Sequence, residues 1–512
     1  MTPPNSPQVQ APDWRPVTVL VAALTLARLV ALFTSPLELY PDEAQYWLWS
    51  RTLDFGYYSK PPVIAWAIWA TTALGGDTEP WVRLSAVMFQ AGATLMVFTI
   101  GQRLFGATTG LVAAALYGLM PGIQLSALVA ATDAPLLFAL SLSLYAYVRL
   151  QAAEGRARIG WAAALGAAMG LALLSKYAAA FYVVGLALHL VMSRPARAAW
   201  TPAAAMVALS ALVAILAPNL VWNARHGFAT FRHTADNAAW SGVQLFNPAE
   251  VGAFLISQFG VFGPVPMGVL IVGIVLAWRR KAMTGDELIL ACFTLPPLAI
   301  VTVQAFVSRA NANWSGAAYL AGAILAAHWL VRWRARRWLI AALAIQALVA
   351  AVFLAGVTSP ALADRMGLAN GLKRARGWSQ TTDLILDRAA LEPGLSAIAV
   401  NNRFLFYAIS YYGRDRLGPG APPLTSWLLM DGPRNQAETT APLTTRLGAR
   451  VLMVSYEGWR RTEMQADFAG SSGLEIVSVG LDRRHKRKVE MFVGEGFNPR
   501  LRDPVSGRPT PP

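Results

Sequence analysis

Tyr40-Pro-Asp-Glu-Ala-Gln-Tyr-Trp-Leu-Trp-Ser-Arg-Thr-Leu-Asp-Phe-Gly-Tyr-Tyr-Ser-Lys-Pro-Pro62 separates two apolar segments. It carries adjacent carboxylates at Asp42 and Glu43, seven aromatic rings, and Lys60 before a Pro-Pro step. A connection with no task beside a membrane does not need two carboxylates where an apolar helix ends. Upstream lies an apolar run, Pro16–Phe33, long enough to cross a bilayer; downstream, Pro62–Gly75 is too short to do so. How this stretch is placed relative to the membrane decides the topology of everything after it.

The 512 residues are 55% hydrophobic and 14% charged, where a soluble domain is about 25% charged. Mean hydropathy is +0.43. Apolar runs of about 18 to 22 residues recur between short Arg-rich or Pro/Gly-rich loops, the pattern of membrane helices. The net charge of +15 does not point to nucleic acid. Its clusters (Arg156 and Arg158, Arg194 and Arg197, Arg279 to Lys281, Arg332 to Arg337) lie in short loops between spans, as cytoplasmic loops do. The single Cys292 lies in an apolar run, so no disulfide framework or thiolate metal site is expected. No phosphate-loop or dinucleotide glycine motif occurs.

Spans are expected at about 16–33, 81–102, 108–128, 134–151, 160–175, 178–193, 201–221, 250–278, 287–307, 314–331 and 338–357. With every Arg-rich loop in the cytoplasm, the span near Trp81 starts outside, because Arg103 ends it inside. A cytoplasmic amino terminus makes the first span end outside too, so 62–75 lies along the outer interface as a juxtamembrane helix. The expected fold is a polytopic α-helical membrane protein of about eleven spans, amino terminus in and carboxyl terminus out. This topology gathers Asp42, Glu43, Lys60, Arg83, Asp133, Lys176, Arg225, His226, His233 and Arg309 at or near the outer face.

The chain divides into a Pro-rich tail (1–15), a membrane domain (16–357) with an outer loop at 36–80, a charged region (358–495), and a second Pro-rich tail (496–512). Both tails are expected to be disordered. Within 358–495 a helical pattern at 372–390 precedes expected strands at 396–401, 451–455, 475–479 and 488–493, with a helix or strand at 404–412. Alternating strands and helices suggest a small α/β domain outside the membrane.

A carboxylate in a partly desolvated cleft gains basicity and can take the proton of an attacking hydroxyl, which makes Asp42 and Glu43 candidates for catalysis. Equally, acidic residues suit the start of a helix. Lys60 is held extended by the following proline. It suits a phosphate ligand at the bilayer surface, or a lysine snorkelling to the headgroups. Arg83 can add a second positive charge or anchor its span. Asp133 before Ala-Pro suits an N-cap, although ionisable groups at this depth are functional candidates. Two histidines without carboxylates at fixed spacing make no metal site.

The ordered set resembles a known family: Asp42-Glu43 after the first span, Ser59-Lys60-Pro61 downstream, Arg83 at the next span, and Asp133-Ala-Pro135 opening a later one. It is similar to the membrane glycosyltransferases of the GT-C fold. More narrowly, it resembles the bacterial branch related to protein O-mannosyltransferases and lipid A aminoarabinose transferases. Leu-Leu-Ser-Lys-Tyr (173–177), Pro-Asn-Leu-Val-Trp-Asn (218–223) and Asn-Trp-Ser-Gly-Ala-Ala-Tyr (313–319) carry the same resemblance. It implies an inner-membrane enzyme that takes a sugar from a polyprenyl-phosphate donor at the periplasmic face. The acceptor it implies is lipopolysaccharide, lipid A or another envelope glycan. Asp42 and Glu43 would be catalytic; Lys60, Tyr58, Arg83, Asp133, Lys176, Arg225, His226 and Arg309 would bind substrate. No metal ligand set is implied; related folds differ on a divalent cation at Asp42, which stays open. Ser59 stands where the aminoarabinose branch tends to place Glu, which counts against that donor. Transfer to a protein hydroxyl, and a flippase for a lipid-linked sugar, are the alternatives.

Overall fold

The computed structural model describes residues 13–238, 246–430, 432–456, 458–500 and 502–503. Among them, six helices are long and apolar enough to cross a membrane, or up to eight if each of two bent pairs is one span. The six are Arg15–Thr34, Glu79–Phe105, Gly155–Ser175, Pro202–Arg225, Gly285–Val307 and Arg336–Thr358. Val63–Gly75, Tyr177–Met192 and Ala318–Arg332 are shorter apolar helices. The helix Asp133–Gln151 packs among them.

Two expected single spans are broken. Ala107–Leu119 and Pro121–Leu128 meet at 61°, and Pro248–Phe262 and Pro264–Arg280 at 113°. In each case a proline without an N–H opens a new helix. Gly263 turns the second corner at φ +101, a conformation an L side chain resists. Elsewhere, small residues draw helices together. A Cβ on Gly166 would stand 2.0 Å from the Ala208 carbonyl oxygen, so Gly155–Ser175 and Pro202–Arg225 touch backbone to backbone.

The carboxyl-terminal region holds β1 (Ala397–Val400), β2 (Leu424–Ser426), β3 (Arg450–Ser455), β4 (Phe468–Gly480) and β5 (Lys486–Phe497). Their order is β2-β1-β3-β5-β4. β1 runs parallel to β2 and β3, and β5 runs antiparallel to β3 and β4. The three-residue β2 follows Pro422-Pro423 and has too short an alternation to read from sequence. The segment at 404–412 is a helix, Arg403–Tyr412, capped by the Asn402 side chain. β5 continues to Phe497, and Arg502 is buried with its guanidinium 6.0 Å from the Trp427 ring centroid. Order therefore extends past 496; residues 1–12 and 504–512 lie outside the described residues.

Tyr40–Pro62 is not a loop throughout. Pro41–Ser50 is a helix, with proline at its start and the Glu43 carboxylate accepting from the Tyr40 N–H at 2.8 Å. Its aromatic residues pack against the apolar helices on one side, through Ile64, Ile68 and Val82, and against the carboxyl-terminal region on the other. Trp47, Trp49 and Tyr57 share one buried cluster with Trp378, Leu405, Tyr411 and Leu452 of the carboxyl-terminal region. Composition changes near residue 358, but the core runs across that boundary.

Candidate active site

Consecutive residues on a helix point about 100° apart, and this separates Asp42 from Glu43. Glu43 is 0% exposed. Its Oε1 accepts from Arg83 Nε (2.8 Å) and the Ala130 N–H (2.7 Å), and its Oε2 accepts from Arg83 Nη2 (2.7 Å) and the Tyr40 N–H. All four acceptor positions of a carboxylate are filled. Arg83 spends four of its five N–H groups here, two on Glu43 and two on the carbonyls of Leu37 (3.0 Å) and Glu38 (2.7 Å). The expected roles of Glu43 in catalysis and of Arg83 at a phosphate do not fit this geometry. Together they bolt the helix Pro41–Ser50 to Glu79–Phe105.

Asp42 is 56% exposed and meets Arg403 Nη1 at 3.1 Å through Oδ1. Its Oδ2 has no protein partner among the described residues. Arg403 also donates to Gln45 Oε1 at 2.6 Å, so the start of helix Arg403–Tyr412 sets the position of the carboxylate. Nothing in the local sequence announces Arg403, which lies 361 positions away.

Lys60 is half-buried, and among the described residues its ammonium has no hydrogen-bond or ion-pair partner. Burial first, and then the Lys176 charge, lower its pKa to about 8, against the opposing pull of Asp42 and Asp133. Asp133 Oδ1 pairs with Lys176 Nζ at 2.8 Å, and Asn313 Nδ2 stands 3.4 Å from its Oδ2. Burial, then Lys60 and Arg403, push His233 down to about 4, so it is neutral near pH 7. Lys60, Asp42, Asp133, Lys176, Arg403 and His233 thus form one electrostatic group.

Of the other expected residues, Tyr58 sets its ring edge-on to His233, centroids 5.9 Å apart, and the rest fall elsewhere. The Tyr58 N–H donates to Gln436 Oε1 (2.8 Å) and its hydroxyl to the Pro433 carbonyl (2.9 Å), which ties it to the carboxyl-terminal region. His226 stacks on Trp222, centroids 4.0 Å apart, with Nδ1 on the Trp222 carbonyl. Arg225 and Arg309 are exposed and join none of these contacts. The familiar motifs hold the turn at Asp54 and Phe55, upstream of Lys60, instead. Asn219 Nδ2 donates to the Phe55 carbonyl (2.6 Å), Trp222 Nε1 to Asp54 Oδ2 (2.6 Å), and Tyr177 to Asn219 Oδ1 (2.8 Å). A divalent cation at Asp42 does not fit: the neighbouring acid Glu43 faces inward, and the Arg403 guanidinium occupies Asp42 Oδ1. Among the described residues no three His, Cys, Asp or Glu side chains gather as a ligand set.

The lipid A galacturonosyltransferase RgtD of Rhizobium johnstonii is 35% identical over 402 residues, 78% of this chain and 82% of that protein. The family profile of dolichyl-phosphate-mannose-protein mannosyltransferases matches residues 59–222. The chain belongs to the same family of membrane glycosyltransferases as RgtD. The fold of this transferase is that of ArnT from Cupriavidus metallidurans in the apo state, with a TM-score of 0.67 at 17% identity. The undecaprenyl phosphate-bound form of ArnT superposes with a TM-score of 0.64 at 20% identity. Each comparison covers 93% of the transferase and 97% of ArnT. The matched span 59–222 includes Lys60, Asp133, Lys176 and Asn219, but not Asp42.

Proposed function

We propose that this transferase moves a sugar from an undecaprenyl-type phosphate to lipid A or a related envelope glycolipid, at the periplasmic face of the bacterial inner membrane. The observation that carries the site assignment is that, among the described residues, the half-buried Lys60 ammonium and Asp42 Oδ2 both lack a protein partner and lie in one electrostatic group. The relative with lipid A in its name supports the acceptor, and makes a galacturonosyl donor the first to test.

The chemistry needs few groups. The acceptor oxygen attacks the anomeric carbon, and its proton passes to Asp42 Oδ2. The bond from that carbon to the phosphate oxygen breaks, and the electron pair leaves with polyprenyl phosphate. Lys60 stabilises the departing charge. Asp133 holds Lys176 beside this position, and Arg403 holds Asp42. Displacement in line inverts the anomeric carbon.

Asp42→Asn is expected to lower transfer by roughly 10²–10⁴-fold while expression and membrane insertion stay unchanged. The measurement is release of polyprenyl phosphate from labelled donor in the presence of lipid A. Full activity in that variant removes Asp42 from the mechanism. For the orientation, cysteine introduced at the exposed Thr78 should react with an impermeant maleimide applied from the periplasmic side. Labelling only after the cytoplasmic side is opened reverses the proposed topology.

A further inference from the structure

We infer that the groove beside Asp133 seats the acceptor, and that Lys373 and Arg374 bind an anionic group on its head. This assignment rests on the transfer reading of the site and names the class of acceptor: an acyl-bearing glycolipid with a phosphate or carboxylate on its head.

The groove encloses about 710 Å³. Its lower walls are apolar, with Met120, Ile123 and Val129 from the first broken span and Phe353 and Val357 from Arg336–Thr358. It exists because the helices break. Arg28 Nη2 donates to the Gly118 carbonyl at 2.5 Å, holding the end of Ala107–Leu119 where Pro121 turns the chain away. Val261, which packs against Gly122, precedes the corner at Gly263, where Gln346 Nε2 donates to the Phe262 carbonyl at 2.8 Å. Leu125 and Leu368 line it while remaining 48% and 43% exposed, an apolar margin suited to lipid.

The rim is polar in two places. Asp133 and Asn313 join the groove to the electrostatic group around Lys60. Asn370, Lys373 and Arg374 come from the segment that follows the last span. Neighbouring Arg376 is paired with Asp364 at 2.9 Å. Lys373 and Arg374 have no carboxylate partner among the described residues, although the Arg374 backbone is fastened by Trp378 Nε1 at 2.8 Å. Two unpaired cations over an apolar trough complement an amphiphile with a charged head.

The donor does not account for them. Its phosphate has Lys60, which does not line the groove, and a polyprenyl tail carries no charge to engage two further cations. A glycolipid with a broad head uses both parts of the rim: a hydroxyl that reaches past Tyr40 and Asp133 towards Asp42, an anion at Lys373 and Arg374, and acyl chains in the apolar trough.

The test compares monophosphoryl lipid A with the same lipid stripped of phosphate, using the full-length transferase in detergent. Native mass spectrometry reads binding, and initial rates read transfer. The wild type should prefer the phosphorylated lipid by about tenfold or more, and Lys373→Gln/Arg374→Gln should bring that ratio towards one by raising the acceptor KM. Lys373→Arg/Arg374→Lys should keep the preference, separating charge from folding. A wild type without preference, or a preference that survives in the double glutamine variant, overturns the assignment. A rise in donor KM in place of acceptor KM overturns it too, and gives the groove to the polyprenyl tail. Charge-dependent binding without sugar transfer keeps the groove assignment and defeats the proposed lipid A transfer.

Discussion

Lys60 shows how a single residue can be read and tested. Its place before Pro61-Pro62 was visible in the sequence; its isolation from any counter-ion was not, because that depends on where the Asp133 and Lys176 pair settles. Folding lowers its pKa from 10.5 to about 8, chiefly by burial. The folded protein therefore holds fewer protons than the unfolded chain between those values. Stability contributed by this group rises with pH across that window, and its cost is complete below about 8. Donor phosphate favours the charged form, so binding takes up a proton once pH exceeds about 8. We expect kcat/KM for the donor to fall about tenfold per pH unit above that point. In Lys60→Arg, whose charge persists, the limb should vanish. A wild-type profile flat to pH 10 would refute Lys60 as the phosphate ligand.

At the scale of the element, the helix Pro41–Ser50 departs from what its sequence predicts. Two proline-flanked carboxylates beside seven aromatic residues suggested a functional loop, and both acids were assigned to catalysis. Helical geometry turns one acid inward and the other outward. The inward Glu43 meets Arg83 with relative exposures of 0% and 4%, and such a pair is expensive to break from one side. Glu43→Gln should destabilise the purified protein by roughly 3–5 kcal/mol, read as a lowered thermal midpoint. Asp42→Asn should leave that midpoint within experimental scatter. If the two variants lose stability equally, the division of labour between the two acids is wrong. The breaks at Pro121 and Gly263 leave no mark in hydropathy for a related reason: it averages over a window and carries no direction.

Across the whole molecule, the site is completed by the carboxyl-terminal region. Glu38 accepts from the Ser379 N–H at 3.0 Å and from the Trp378 N–H, at the start of the helix Trp378–Ala390. Leu39 donates to the Tyr412 hydroxyl at 2.7 Å, and Arg403 positions Asp42. Removing the Arg403 side chain should therefore cost activity without loosening the membrane bundle. For Arg403→Ala we expect kcat/KM to drop by about ten- to a hundredfold through misplacement of the base, with partial recovery in Arg403→Lys. Unchanged kinetics in the alanine variant would make the contact merely adhesive.

The sequence by itself determined the class of molecule, the positions of most helices and strands, and the outer-face candidates Asp42, Lys60, Asp133 and Lys176. These follow from hydropathy, local periodicity and short motifs, which a linear chain records directly. Only the tertiary structure decided that Glu43 belongs to Arg83, that Tyr58 is spent on the Pro433 carbonyl, and that Arg403 reaches Asp42. Those partnerships depend on which surfaces meet after the chain returns on itself. A carboxylate reads the same in sequence whether its oxygens end saturated by protein or open to a substrate.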